Sequence, residues 1–144
     1  MILDDEESTT RLGAQLAAVA RPGDVITLSG PLGVGKTALA RGFISALGHE
    51  EDVPSPSFAI VQPYEELDPP VWHVDLYRIE EPSEIGELGL DCAGDAVLIV
   101  EWPERAGHAA WPNALALSLD FGRNAVRILT AKVPASWGGR WPPR

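Results

Sequence analysis

The sequence predicts an α/β fold of a single domain, with a central mixed sheet, parallel in its middle and antiparallel towards its edges, flanked by helices. Three observations predict it. Val25-Ile26-Thr27-Leu28 is a short apolar, β-branched run that leads through a glycine-rich stretch into a segment where Leu39, Phe43 and Leu47 recur at helical spacing, with Gly48 placed to end it. Ala96-Val97-Leu98-Ile99-Val100 is the most apolar run in the chain and reads as a buried central strand. Residues 115–120 and 125–132 alternate apolar and polar side chains around Phe121-Gly122-Arg123-Asn124, the pattern of an antiparallel hairpin.

Taken in order, acidic residues from Asp4 to Glu7 precede Ser8, and Leu12, Leu16 and Val19 then repeat at helical spacing. Residues 8–20 are therefore expected to form a capped amphipathic helix covering one face of the sheet. Arg21-Pro22-Gly23-Asp24 is turn chemistry ahead of the first strand. After the second helix, Ser55-Pro56-Ser57 reads as a loop, whose hydroxyls either face a bound phosphate or belong to a plain Ser-Pro turn. Residues 58–61 and 71–77 are predicted strands joined by a turn over 65–70, with His73, Asp75 and Tyr77 on one face of the second. A lone strand histidine is more often a hydrogen-bonded structural residue than a base, and His73 is read that way. Pro82 suits the first turn of a short helix within 79–89. The run over 96–100 ends in Glu101; Trp102 behind it is read as core, and Pro103-Glu104-Arg105 opens another short helix.

A chain of 144 residues can bury a core without disulfides or a structural metal. The domain is expected over residues 1–133, with 134–144, rich in Pro, Gly, Trp and Arg, as a flexible tail that has little to pack. A formal charge of −10 and a pI near 4.6 argue against a direct, phosphate-driven grip on DNA or RNA, which needs clustered Lys and Arg. Cys92 is the single cysteine, so neither an intrachain disulfide nor a Cys/His zinc spacing exists. The acidic first residues carry neither a secretory signal nor an apolar anchor, and a soluble, cytoplasmic protein is expected.

Gly30-Pro31-Leu32-Gly33-Val34-Gly35-Lys36-Thr37, set between a strand and a helix, is a phosphate-binding loop, which makes the expected domain P-loop NTPase-like. The glycines let backbone N–H groups approach phosphate oxygens, and the helix that follows points its positive end at the same anion. Lys36 should reach the β- and γ-phosphates and the Thr37 hydroxyl should ligate magnesium. Asp75, within a predicted strand, and Glu101, at the end of one, are the candidate acids, because carboxylates so placed beside such a loop hold magnesium or its waters in phosphoryl-transfer proteins.

Several pieces together resemble one family. Leu32-Gly33-Val34-Gly35-Lys36-Thr37 with Ala40-Arg41-Gly42, Ser55-Pro56-Ser57-Phe58, His73-Val74-Asp75-Leu76-Tyr77-Arg78 and Glu101-Trp102-Pro103-Glu104 are similar, in order and spacing up to Lys132, to the TsaE (YjeE-type) bacterial ATPases. The His-x-Asp-Leu-Tyr-Arg and Glu-Trp pieces are the specific ones. The resemblance implies ATP on the backbone of Gly33, Val34, Gly35, Lys36, Thr37 and Ala38, magnesium on Thr37 and Glu101, Asp75 as a second acid needed for activity, and Glu104 and Arg123 as further nucleotide contacts. It also implies a role in threonylcarbamoylation of the tRNA adenosine next to the anticodon, exerted on a complex of TsaD and TsaB, with catalysis of the transfer in TsaD and tRNA met only indirectly. This chain departs from the family pattern at Pro31, where an acid is usual, and at Ser57, where a threonine is usual; Ser57 keeps the hydroxyl and with it a switch role.

Two other P-loop classes match the sequence less well. Asp91-Cys92-Ala93-Gly94 matches the Asp-x-x-Gly of a guanine-nucleotide switch but does not directly follow an apolar strand, and no Asn-Lys-x-Asp segment reads guanine. A small-molecule kinase needs an acceptor pocket and usually an Arg-rich lid, for which the chain leaves little room. An ATP-binding, slowly hydrolysing accessory protein is the expectation.

Overall fold

A computed structural model describes residues 1–56, 60–107 and 110–143. Strands β1 (Ile2–Leu3), β2 (Val25–Ser29), β3 (Val61–Tyr64), β4 (Val71–Asp75), β5 (Val97–Glu101), β6 (Leu115–Phe121) and β7 (Arg127–Lys132) form one sheet among the described residues, in the order β1-β7-β6-β2-β5-β4-β3. β2 pairs in parallel with β5 and β6, and β4 in parallel with β5. The outer pairs β1/β7, β6/β7 and β3/β4 are antiparallel. The mixed sheet and both hairpins agree with the sequence expectation.

Two helices, α1 (Glu6–Val19) and α2 (Lys36–Ala46), lie on one face. Asp5 caps α1, its carboxylate accepting from the Ser8 N–H at 2.8 Å. Leu12 and Leu16 of α1 and Leu39 and Phe43 of α2 share a core with Ile26, Leu28, Ile99 and Leu117. The other face is covered by 3-10 segments Pro82–Leu88 and Leu90–Cys92, which close a second core around Val74, Leu98 and Val100. β5 is buried along its whole length because its alternate residues feed both cores. The same parity places His73, Asp75 and Glu101 on the helical face. Since β2, β4 and β5 run parallel, Ser29, Asp75 and Glu101 end on one edge of the sheet, where open α/β sheets bind ligands.

Differences from the sequence expectation have local causes. The first strand of the 58–77 hairpin is β3 at 61–64; residues 57–59, with the first half of the predicted strand and Ser57, lie outside the described residues. β3 runs through Pro63, which an edge strand tolerates because one side of its backbone needs no ladder bond. β4 stops at Asp75 rather than at 77, where the Asp75 carboxylate takes the Tyr77 N–H at 2.9 Å and draws the backbone out of the ladder. β7 begins at Arg127 because Asn124 and Ala125, at φ 54° and 66°, still belong to the turn.

The expectation of a flexible tail is corrected. Ala135–Trp137 is a 3-10 turn, and Trp137 is 1% exposed within the helical-side core. Arg140 forks onto both oxygens of Asp24 at 2.7 and 3.1 Å, donates to the Val19 carbonyl, and lies 3.9 Å from the centre of the Trp137 ring. Residues 134–143 thus continue the domain and close it against the turn that starts β2. Trp137→Ala is expected to cost about 3–5 kcal/mol, which at this size lowers the thermal midpoint by roughly 10 °C or more; truncation before Pro134 should do at least as much. Calorimetric melting checks it, and an unchanged midpoint on truncation would restore the loose-tail reading.

Candidate functional site

A cleft of about 330 Å³ opens at the C-terminal edge of β2, β4 and β5. Its floor is the loop from Leu32 into α2. Gly33 and Gly35 take φ of 78° and 118°, values that a side chain would resist, and Gly35 caps α2 without any side-chain acceptor. The first-turn N–H groups of α2 therefore lack intrahelical partners and form an anion-binding end. Gly33, Val34, Gly35, Lys36, Thr37, Ala38, Asp75 and Glu101 all line this cleft, so the structure brings most of the sequence candidates together.

Lys36 is 4% exposed and folded back. Its ammonium donates to the Gly30 carbonyl and sits 3.4 Å from the centre of the Trp102 ring. Burial lowers its pKa from the usual lysine value, opposed by the charges of Glu101, Glu104 and Asp75. The Thr37 hydroxyl lies 3.0 and 3.2 Å from the two Glu101 oxygens. On its other side Glu101 Oε2 is 2.6 Å from His73 Nε2, with His73 wholly buried. Asp75, 4% exposed, pairs in register with Glu101 across the β4–β5 ladder.

Two candidates fall elsewhere. Glu104 is exposed on the 3-10 segment Pro103–Ala106 and lines a second cleft with Thr27, Ser29 and Lys132, although its charge is felt at Lys36. Arg123 is exposed in the β6–β7 turn and does not line the phosphate-loop cleft. Arg127 does, donating its Nε–H to the Val34 carbonyl at 3.0 Å. Sequence reasoning passed over Arg127, yet it alternates in step with buried Leu129 on β7, and an arginine in an inward register is a legible anomaly. Trp102, read as core, packs against the second core and also lines the cleft. It does so at φ 59°, a left-handed conformation rare for a bulky residue, and Ala125 at the far rim is likewise at positive φ. Asp5, Glu6 and Thr9 reach the rim from the start of α1. Ser55 also lines the cleft.

The donor set suits a small hard cation shared with a ligand. A hydroxyl and a carboxylate converge, and the described residues contain no cluster of three or more His, Cys, Asp or Glu that would cage a metal alone. Magnesium is commonly held in this way, by one or two protein oxygens with phosphates and water completing the shell. The charges agree: Asp5, Glu6, Asp75 and Glu101 face Lys36, Arg41 and Arg127, so a bare polyphosphate would meet repulsion that a divalent ion relieves.

Comparison with known proteins identifies the family. A family model described as "Threonylcarbamoyl adenosine biosynthesis protein TsaE" matches residues 3–128. The tRNA threonylcarbamoyladenosine biosynthesis protein TsaE of Bacillus subtilis (strain 168) is 45% identical over 98 residues, 67% of this chain and 61% of that protein, so the match spans about three fifths of the relative's length. The protein of the same name from Streptomyces coelicolor is 41% identical over 136 residues, 90% of this chain and 91% of its own. The crystal structure of Bacillus subtilis YdiB superposes with a TM-score of 0.76 at 29% identity, covering 94% of this chain and 85% of that one. With a phosphate loop, a Thr37–Glu101 pair and a family match over nearly its whole length, the chain belongs to the TsaE family.

Proposed function

We propose that the chain is a magnesium-dependent ATPase that serves threonylcarbamoylation of tRNA in the cytoplasm, acting on a complex of TsaD and TsaB homologues without binding tRNA itself. The observation that carries the reading is the Thr37–Glu101 hydrogen bond at the uncapped start of α2, which puts a metal-ligating pair beside a phosphate cradle. The names of the family relatives support the pathway, and the −10 charge favours a protein partner over nucleic acid.

In this reading the backbone N–H groups from Gly33 to Ala38, in the loop and the first turn of α2, hold the β- and γ-phosphates. Lys36 exchanges the Gly30 carbonyl for a phosphoryl oxygen, a short swing that restores full charge pairing to a desolvated ammonium. Thr37 and Glu101 would hold magnesium, which when bound supplies positive charge to the transferring phosphoryl group. Asp75, beside Glu101 at the end of β4, would act as the second acid needed for turnover. Arg127, tied to the Val34 carbonyl, stiffens the loop from the opposite wall. ATP hydrolysis by the chain alone is slow, because the described arginines that approach the cleft are engaged by Val53 and Val34 carbonyls and an additional charge would come from another chain.

Lys36→Ala is expected to weaken ATP binding roughly 10- to 150-fold, the worth of one charge-assisted hydrogen bond, with the fold retained. Calorimetric titration reads this, and wild-type affinity in a folded variant would reduce the loop to a turn. Glu101→Gln and Thr37→Ala should each raise the magnesium concentration needed for tight ATP binding, whereas Asp75→Asn should chiefly lower turnover, by about 100-fold or more; unchanged metal titrations or an unchanged rate would remove the respective role. Hydrolysis should be slow for the isolated protein and should change on adding the TsaD–TsaB complex. Fast hydrolysis alone, with no response to the complex and no effect on repeated tRNA modification, would leave only an ATP-binding domain.

A further inference from the structure

We infer that His73 is a positioning residue that holds the Glu101 carboxylate in the orientation at which it meets Thr37, and thereby sets the metal affinity of the nucleotide site. The inference rests on the magnesium–nucleotide reading above. The terminal torsion of a glutamate is broad, so rotamer preference alone does not fix where its two oxygens point. In this site two donors fix it. Thr37 approaches from α2, 3.0 Å from Oε1 and 3.2 Å from Oε2, and His73 Nε2 reaches Oε2 at 2.6 Å from the neighbouring strand. The β4–β5 register pairs His73 with Ile99, so Glu101 lies diagonally, two residues further on the same face. The imidazole therefore braces the carboxylate from beneath, on the side away from the loop.

Burial makes the brace directional. His73 is 0% exposed and Glu101 2%, and His73 Nδ1 has no hydrogen-bond partner among the described residues. A carboxylate only accepts, so an imidazole with one ring proton must carry it on Nε2. That leaves a bare lone pair at Nδ1, whereas the other tautomer would strand a buried N–H and set a lone pair against a carboxylate. Outer partners of this kind typically contribute 10- to 100-fold to metal affinity. A histidine that only filled space would contribute none of it.

The test uses the full chain as wild type, His73→Phe and His73→Gln, with ADP affinity measured by calorimetry while magnesium is titrated. His73→Phe is expected to need about 10- to 100-fold more magnesium to reach the tight-binding state, with its magnesium-free ADP affinity unchanged. His73→Gln, which can still present an N–H, should recover most of the loss. A folded His73→Phe with the wild-type magnesium requirement, or a His73→Gln no better than His73→Phe, would overturn the inference alone. A wild type whose ADP affinity ignores magnesium would overturn both this and the reading beneath it. Because His73→Phe can fail to fold, ring-nitrogen NMR of the wild type gives a second measure. A proton on Nε2 and resonances that move when magnesium joins ADP are expected; a proton on Nδ1, or indifference to magnesium, overturns the role.

Discussion

Parallel pairing of β4 with β5 sets Asp75 directly beside Glu101, and the rest of the site is arranged around the cost of that placement. Neighbouring strands lie about 4.8 Å apart, a spacing at which two carboxylates repel by roughly 3 kcal/mol at an effective dielectric of 20. Compensation arrives from every side. Thr37 and His73 bond Glu101, the Tyr77 N–H bonds Asp75, the Lys36 ammonium feels the charge of both, and the positive end of α2 faces the pair. Such an arrangement holds negative charge ready for a cation, which is what a phosphate site with acidic walls requires.

Trp102 connects this charged edge to the second core. At φ 59° and ψ 48° the backbone leaves the strand as soon as Glu101 is placed, a conformation that costs about 1–3 kcal/mol and persists only under constraint. The constraints are visible: the Trp102 N–H donates to the Leu28 carbonyl, its ring packs 4.9 Å from Tyr77, and the Lys36 ammonium rests on its face. One residue thus ties β2, the segment after β4 and the phosphate loop together, the first through its backbone and the others through its ring.

What the sequence made legible follows the range of the interactions involved. The phosphate loop, α1, α2, β5 and the β6–β7 hairpin rest on local patterns of apolar period and turn chemistry, and each was predicted within a few residues. The acids were readable because Asp75 stands on the polar face of an alternating strand and Glu101 closes an apolar one. Features that depend on distant partners were not. Nothing local marks Trp137 as core or gives Arg140 its partner, since Asp24 lies far back in the chain and only the closed fold joins them. Glu104 and Arg123 were assigned by resemblance, and the turn geometry instead delivers Arg127 to the loop. His73 was read as a hydrogen-bonded structural residue, which is correct as far as it goes; that its partner is Glu101 depends on a strand register that the sequence does not display.

The contact between α1 and α2 has a mechanical consequence. A Cβ on Gly13 would lie 2.1 Å from the Leu39 carbonyl oxygen, and one on Gly42 would lie 2.1 Å from that of Thr10, so the two backbones touch without a side-chain layer between them. Side chains can give by changing rotamer, but main chain pressed on main chain has no such slack. The helices must therefore travel as one stiff body, keeping Asp5 and Thr9 at a fixed distance from the phosphate loop.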